Sequence, residues 1–366
     1  MNRITLYQKL TIFLRKIKFD YFKMKISFGA AIKDQPWGGG NQFLKNISNY
    51  LHSKDIKIVY NLNDADIDII VLMDPRISSA SSTFNHLDIA NYINNKNKKV
   101  IVVHRINECD ERKGTNFVNK NLIEANSFAD HTVFISTWLK ELFSKYKKFE
   151  NFNVVLNGAN NKLFSYSNLQ IKKNKKIKIV THHWSTNINK GFEIYEHLDN
   201  LLDDSNFSKL VEFTYIGNLP KYMKFRNTKC LSPKQGIELA NIIKDNHIYI
   251  TGSLNEPGGN HQNEGLNCGL PVLYLDSGCM REYCEGFGIS YKKENLKEKI
   301  FEMKKKYDYF KIQLKNYPYN SELMCKSYEK IFLNLFKNKS EITNKRVLPK
   351  INFIQKLKYK LKLKFI

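Results

Sequence analysis

HIYITGSLNEPGGNHQNEGLNCGLPVLYLDSGCMREYCEGFGISY, residues 247–291, decides how the rest of the chain reads. His247 to Thr251 is a short apolar run with β-branched residues, the pattern of a buried strand. The loop Gly252 to Asn260 follows, with Pro257, Gly258 and Gly259, where glycine lets backbone N–H groups approach a ligand. His261 to Cys268 reads as a short helix ending at Gly269, and Pro271 to Leu275 as a second apolar strand. Glu256 and Glu264 stand at either end of the loop and first helical turn. A glycine loop that opens a helix favours anions, because unpaired N–H groups and the helix dipole point at it. Carboxylates beside it suit sugar hydroxyls, from which they accept hydrogen bonds. The stretch therefore fits a ligand with both phosphate and sugar parts.

Outward from this stretch the chain alternates strands and helices. Upstream in the same half, strands are expected at Ile177–Thr181, Val211–Ile216 and Thr228–Leu231, and helices at Gly191–Leu202 and Pro233–Lys244. The polar, lysine-rich run 165–175 reads as a linker. Before it lies a first alternating set, opening with the strand Met24–Gly29 and the glycines of Trp37-Gly38-Gly39-Gly40, which precede a helix from Asn41 to Leu51. Strands follow at Ile56–Tyr60, Ile67–Leu72, Lys99–Val103, His131–Ser136 and Asn153–Leu156. His104 and Arg105 stand at the carboxyl end of one of them, where open α/β sheets bind ligands. No G-x-G-x-x-G is present, which excludes the dinucleotide fingerprint. The reading is an α/β protein: two Rossmann-like domains, 24–164 and 176–318, facing a cleft. A helix within 319–337 follows, then a basic tail, 338–366.

The loop resembles the nucleotide-sugar loop of retaining glycosyltransferases of the GT-B fold, family 4. The residues that carry the resemblance are Glu256 and Glu264, Cys268-Gly269-Leu270-Pro271-Val272, and Asp276-Ser277-Gly278 with Glu282. Cys279 departs from the pattern, which commonly has a second glycine there. The resemblance implies that Glu256 lies near the donor sugar and that Glu264 binds the ribose hydroxyls. It implies a donor site of Gly39, Gly40, His183, Lys190, Glu256, Pro257, Gly258, Gly259, Asn260 and Glu264. His104, Lys190 and Glu256 would be catalytic. Arg105, beside His104, is an acceptor-binding candidate from its place alone, with donor oxygens as the alternative. Lys190-Gly191 resembles the family's lysine that neutralises the donor diphosphate. The arginine usual about five residues earlier is replaced by Ser185, so either the phosphate clamp is weaker than usual or His183 or another cation substitutes. The helix Ser321–Phe336 resembles the one that crosses back to the first domain in GT-B proteins. No cofactor and no metal is expected: Asp64-Ala65-Asp66 and Asp66-Ile67-Asp68 have D-x-D spacing but run into a strand rather than follow one.

The chain has 366 residues, 42 % of them hydrophobic, enough for two cores, and a formal net charge of +24. Residues 1–23 carry a net +5 and residues 345–366 a net +8, so the ends hold over half of the excess. Apolar positions recur at helical spacing in 1–23, and lysine alternates with Leu, Tyr or Phe from Lys356 to Phe365. Both ends fit an anionic membrane surface or a protein partner, and the first fits equally a helix packed onto its domain. The expected partners are a nucleotide-sugar donor, a glycan or lipid-linked acceptor and that surface. The expected place is the cytoplasmic membrane face, in glycan or lipopolysaccharide assembly. Six cysteines without a C-x-x-C pair read as free thiols. The competing readings are a GT-B sugar-nucleotide epimerase, a lectin-like non-catalytic relative and a nucleic-acid-binding protein. The last lacks any recognised nucleic-acid motif.

Overall fold

The computed structural model describes residues 24–34, 38–76, 79 and 81–351. The N-terminal helix expected in 1–23, the alternating run from Lys356, and Trp37 lie outside the described residues.

Apolar β-branched runs build two six-stranded sheets, and every pairing between their strands is parallel. The first holds β1 (Lys25–Phe28), β2 (Lys57–Val59), β3 (Ile69–Leu72), β4 (Ile101–Ile106), β5 (His131–Phe134) and β6 (Phe152–Val154), in the order β2-β1-β3-β4-β5-β6. The second holds β7 (Ile177–His183), β8 (Val211–Gly217), β9 (Lys229–Leu231), β10 (Ile248–Thr251), β11 (Val272–Leu275) and β12 (Gly288–Tyr291), in the order β12-β11-β10-β7-β8-β9. β3 and β4 are buried along their whole length, as strands covered by helices on both faces must be. Each sheet reverses its winding at its first strand, and crevices open outside the carboxyl ends there. This is the two-domain GT-B architecture.

Helix α1 (Gly39–His52) packs Phe43, Leu44, Ile47 and Leu51 onto the first sheet. Met324, Tyr328, Ile331 and Phe332 of the long helix Ser321–Lys337 join the same core, so the end of the chain belongs to the first domain. The stretch 338–351, read as part of a basic tail, stays on that domain. Lys339 Nζ lies 2.6 Å from Asp68, and the Arg346 guanidinium is buried against Asp130 and the Val100 carbonyl. Leu348 and Ile351 then cover Leu87, Ala90 and Phe128.

The chain passes between the domains twice, after β6 and before Ser321, and the two passes touch. Ser321 N–H donates to the Ala159 carbonyl at 2.7 Å. A Cβ at Gly158 would collide with the Asn320 backbone, so only glycine fits the crossing. No helix among the described residues is long and apolar enough to cross a membrane.

Candidate active site

Between the domains lies a cleft of about 520 Å³, lined by residues that follow the carboxyl ends of β4, β5 and β6 on one side and of β7, β8 and β10 on the other. A second cavity of about 260 Å³ opens from it into the first domain, sharing Gly38–Gly40, Asn107, Glu108 and Lys113 and reaching Asp74, Arg76 and Asn121.

The electrostatic centre of the cleft is Glu256. Its Oε2 lies 3.1 Å from Lys190 Nζ and 3.4 Å from Arg112 Nε; Glu256 and Arg112 are buried, and the Lys190 side chain is mostly covered. Burial pushes the Glu256 carboxyl up; the pull of Lys190 and then Arg112 outweighs it and holds the group well below the usual carboxylate range. Lys190 goes the other way. Burial lowers its ammonium pKa, Arg112 adds to that, and the one carboxylate does not compensate. Local chain geometry sets the lysine in place. Asn187 caps the 3-10 turn Ile188–Lys190 by accepting Asn189 N–H at 2.9 Å. Gly191 then takes φ +86° against the backbone of Gly252, where a side chain has neither the space nor the conformation.

Glu264 Oε2 lies 2.7 Å from His182 Nε2, and His182 Nδ1 contacts the Tyr249 hydroxyl at 2.9 Å. Both Glu264 and His182 line the cleft. His183 lines it too but bonds Tyr195 OH at 2.6 Å. Burial, then repulsion from His261, pushes its pKa well down, so His183 is neutral and offers no charge in place of the arginine absent at Ser185.

His104, expected beside the donor sugar, is not among the cleft-lining residues. Successive strand residues point to opposite faces. Arg105 takes the cleft side, while the His104 ring is buried near Asn126, at 3.3 Å, with its pKa lowered by burial to about 3. Arg105 is 1 % exposed. It stacks on Phe43 at 3.9 Å and donates to Asn157 Oδ1 at 2.9 Å and to Tyr328 OH at 3.1 Å. Its Nη1 has no hydrogen-bond partner.

The glycine loop works differently from its sequence reading. Gly258 is small because Ile135 of the first domain fills its side-chain position: an added Cβ would sit 2.5 Å from that isoleucine. Ser136, which caps the helix Thr137–Ser144, also donates to the Pro257 carbonyl at 2.6 Å, and Asn157 Nδ2 donates to the Gly258 carbonyl. At Gly259 a Cβ would meet His261 and Gln262. The loop is thus pressed against the first domain. Asn260 faces Gly39, and its Oδ1 is buried without a partner. At Gly38 and Gly40 an added Cβ would meet open space.

Arg112 escaped the sequence reading, although Asp110-Glu111-Arg112-Lys113-Gly114 carries the signal. Acids begin a turn, bases end it, and Gly114 takes the left-handed φ of +69° that closes a helix. Asp64, Asp66 and Asp68 lie before β3, at the end of the sheet away from the cleft. Lys25 Nζ is 2.9 Å from Asp64 and 2.5 Å from Asp66, and Lys339 pairs with Asp68.

No family model matches the chain, and no curated protein matches it in sequence. Solved structures do match in fold. A glycosyltransferase from Rickettsia africae is 15 % identical, with a TM-score of 0.61 over 86 % of this chain and 99 % of that one. Anabaena HepE, solved in complex with UDP-glucose, is 14 % identical, with a TM-score of 0.63 over 85 % of this chain and 100 % of its own. WaaG, a glycosyltransferase involved in lipopolysaccharide biosynthesis, is 13 % identical, with a TM-score of 0.55 over 88 % and 100 %. At these identities the likeness establishes the fold, and the chemistry must be argued from the cleft.

Proposed function

We propose that this chain is a retaining glycosyltransferase that moves a sugar from a nucleotide diphosphate donor to a hydroxyl of a glycan or lipid-linked acceptor. One observation carries the reading: an interdomain cleft holds a mostly covered Lys190 against buried Glu256, with Glu264 on the same wall. The lysine suits the diphosphate, Glu264 the ribose hydroxyls and Glu256 the hydroxyls of the sugar. The unpaired Arg105 Nη1 and Asn260 Oδ1 suit a polar ligand, because a buried polar atom without a partner costs about 1–3 kcal/mol. The donor occupies the larger cavity and the acceptor the smaller one in the first domain.

In the reaction the bond from the anomeric carbon to the diphosphate oxygen breaks, and a bond from that carbon to the acceptor oxygen forms on the same face. The acceptor proton leaves with the departing diphosphate. Lys190 meets the charge that develops on that leaving group, without a metal. The basic ends argue against an epimerase acting on a soluble donor alone, and the structure of HepE with UDP-glucose supports a nucleotide-sugar donor. The basic sequence at both ends supports work at the cytoplasmic membrane face.

A thermal-shift screen of UDP-, GDP-, ADP- and CMP-sugars tests the reading, since a ligand raises stability by mass action. One donor class is expected to stabilise the protein and to be consumed when acceptor is supplied, with EDTA without effect. Lys190→Ala is expected to lower turnover about 100- to 1000-fold, the usual loss for one preorganised charge-stabilising group. No stabilisation by any of the four would remove the donor assignment. Activity abolished by EDTA and restored by magnesium would remove the metal-free scheme.

A further inference from the structure

We propose that Arg112 is a second cation for the donor diphosphate, lent by the first domain to the site of the second, with Asn187, Asn189 and Asn255 as the positioning residues that admit it. The proposal rests on the donor reading above and adds the group that couples donor binding to closure of the cleft.

Three observations converge on it. Arg112 belongs to the four-residue helix Asp110–Lys113 of the first domain, yet its side-chain partners lie across the cleft: Glu256 at 3.4 Å and Asn187 Oδ1, to which Nη1 donates at 3.2 Å. Arg112 is 5 % exposed, and the side-chain polar partners described for it belong to the second domain. The carbonyls at the end of a helix lack intrahelical donors, and here the second domain supplies them. Asn189 Nδ2 donates to the carbonyls of Glu111 at 3.2 Å and Arg112 at 3.1 Å, Asn187 Nδ2 to Lys113 at 3.3 Å, and Asn255 Nδ2 to Glu111 at 3.2 Å. Two loops thus grip one short helix by its main chain and leave its arginine pointing at the cation site.

The charge count supplies the third observation. Buried Arg112 and the mostly covered Lys190 share one carboxylate in contact, and covering an unpaired charge is expensive. Glu108, the next acid, is committed to Lys113 at 2.8 Å. Burial first, and Arg112 with it, lower the Lys190 ammonium pKa, while Glu256 and Glu108 act against them. An arriving diphosphate adds negative charge there and frees Glu256 for sugar hydroxyls. On the second domain's side of the cleft, position 185 is serine, burial keeps His183 well below its ordinary pKa, His182 faces Glu264 at 2.7 Å and Lys234 faces Glu238 at 2.6 Å, so none of these is placed on Glu256 as Arg112 is. A ligand that binds both cations therefore draws the domains together, because it favours the state in which Arg112 is present.

Calorimetry with UMP and UDP tests this on the full-length wild type, Arg112→Gln, Arg112→Lys and the double variant Asn189→Ala/Asn255→Ala. If the screen selects another base, its mono- and diphosphate replace them. Arg112→Gln is expected to lose about 10- to 100-fold in diphosphate affinity, the range for a hydrogen bond to a charged group. Its monophosphate affinity should change little. Arg112→Lys should recover part of the loss. The asparagine variant should lose part of the discrimination with the guanidinium intact. A folded Arg112→Gln that binds the diphosphate like wild type overturns the proposal. An equal loss for monophosphate and diphosphate overturns it too, because that pattern is structural damage. A wild type that binds no nucleoside diphosphate from any of the four bases overturns the donor reading itself.

Discussion

Buried histidines make this fold acid-sensitive in a way that single side chains explain. His104 is lowered to about 3 and His247 to about 4, in both cases first by burial, and His183 and His261 are pushed well below the ordinary value of 6.5. In the unfolded chain each takes up a proton near that ordinary value; in the fold none does until far lower pH. Below 6.5 the unfolded state thus binds more protons, so stability is full above that pH and is lost as pH falls. Each such group contributes up to about 1.4 kcal/mol per pH unit. Carboxylates with lowered values, Glu256 among them, act in the same direction but only below their unfolded range near 4.5. The window between 6.5 and 4.5 therefore belongs to the histidines. The urea midpoint is expected to be lower at pH 5.5 than at pH 7.5, and His104→Asn should shrink the difference. Equal midpoints at the two pH values would contradict neutral burial.

At the scale of elements, the contact between the Pro257–Gly259 loop and the end of β5 decides how close the domains come. Gly258→Ala places a methyl group where the Ile135 side chain stands, and overpacking of this kind costs about 1–3 kcal/mol. The variant is expected to bind donor more weakly, and adding Ile135→Ala should restore binding. Failure of the second change to rescue the first would mean that the loop does not rest on Ile135. Elements with strong local signals were legible in the sequence. The apolar strands of both sheets up to β11, the Gly39–His52 helix and the Ser321–Lys337 helix all carry their periodicity in a few adjacent residues. The four-residue helix Asp110–Lys113 was missed, because so short an element has almost no periodicity and only its charge order and Gly114 mark it. Its importance comes from Asn187, Asn189, Asn255 and Glu256, which lie far along the chain, and an asparagine in a loop gives no sign of what it will touch. The same limit explains His104 and Arg105. Their place at a strand end was readable, whereas which of the two faced the cleft depended on the register of β4.

For the whole molecule, the end of the described chain redraws what the basic tail is. Residues up to Ile351 are packed on the first domain, with Arg346 buried against Asp130. Deleting 345–366 is therefore expected to destabilise that domain by about 3–5 kcal/mol, the loss for breaking a buried pair on one side. Deleting 352–366 removes five lysines and leaves the pair intact. That shorter deletion is expected to keep the urea midpoint and to weaken binding to anionic vesicles, each basic residue near such a surface contributing about 1 kcal/mol. High salt should mimic it. Vesicle binding as strong as that of the full chain would show that this segment is not an anchor. The two interdomain passes, pinned where Ala159 meets Ser321 and where Gly158 has no room for a side chain, have a mechanical consequence. Two halves fastened at one point can swing but cannot slide, so the cleft works as a pair of jaws with one pivot. Contacts close to the pivot, such as that of Asn263 with the Asn157 carbonyl, ride through the motion almost unchanged. Arg112 with Glu256 joins the two halves through side chains alone, so a swing about the crossing would be felt there as the arrival or departure of a charge.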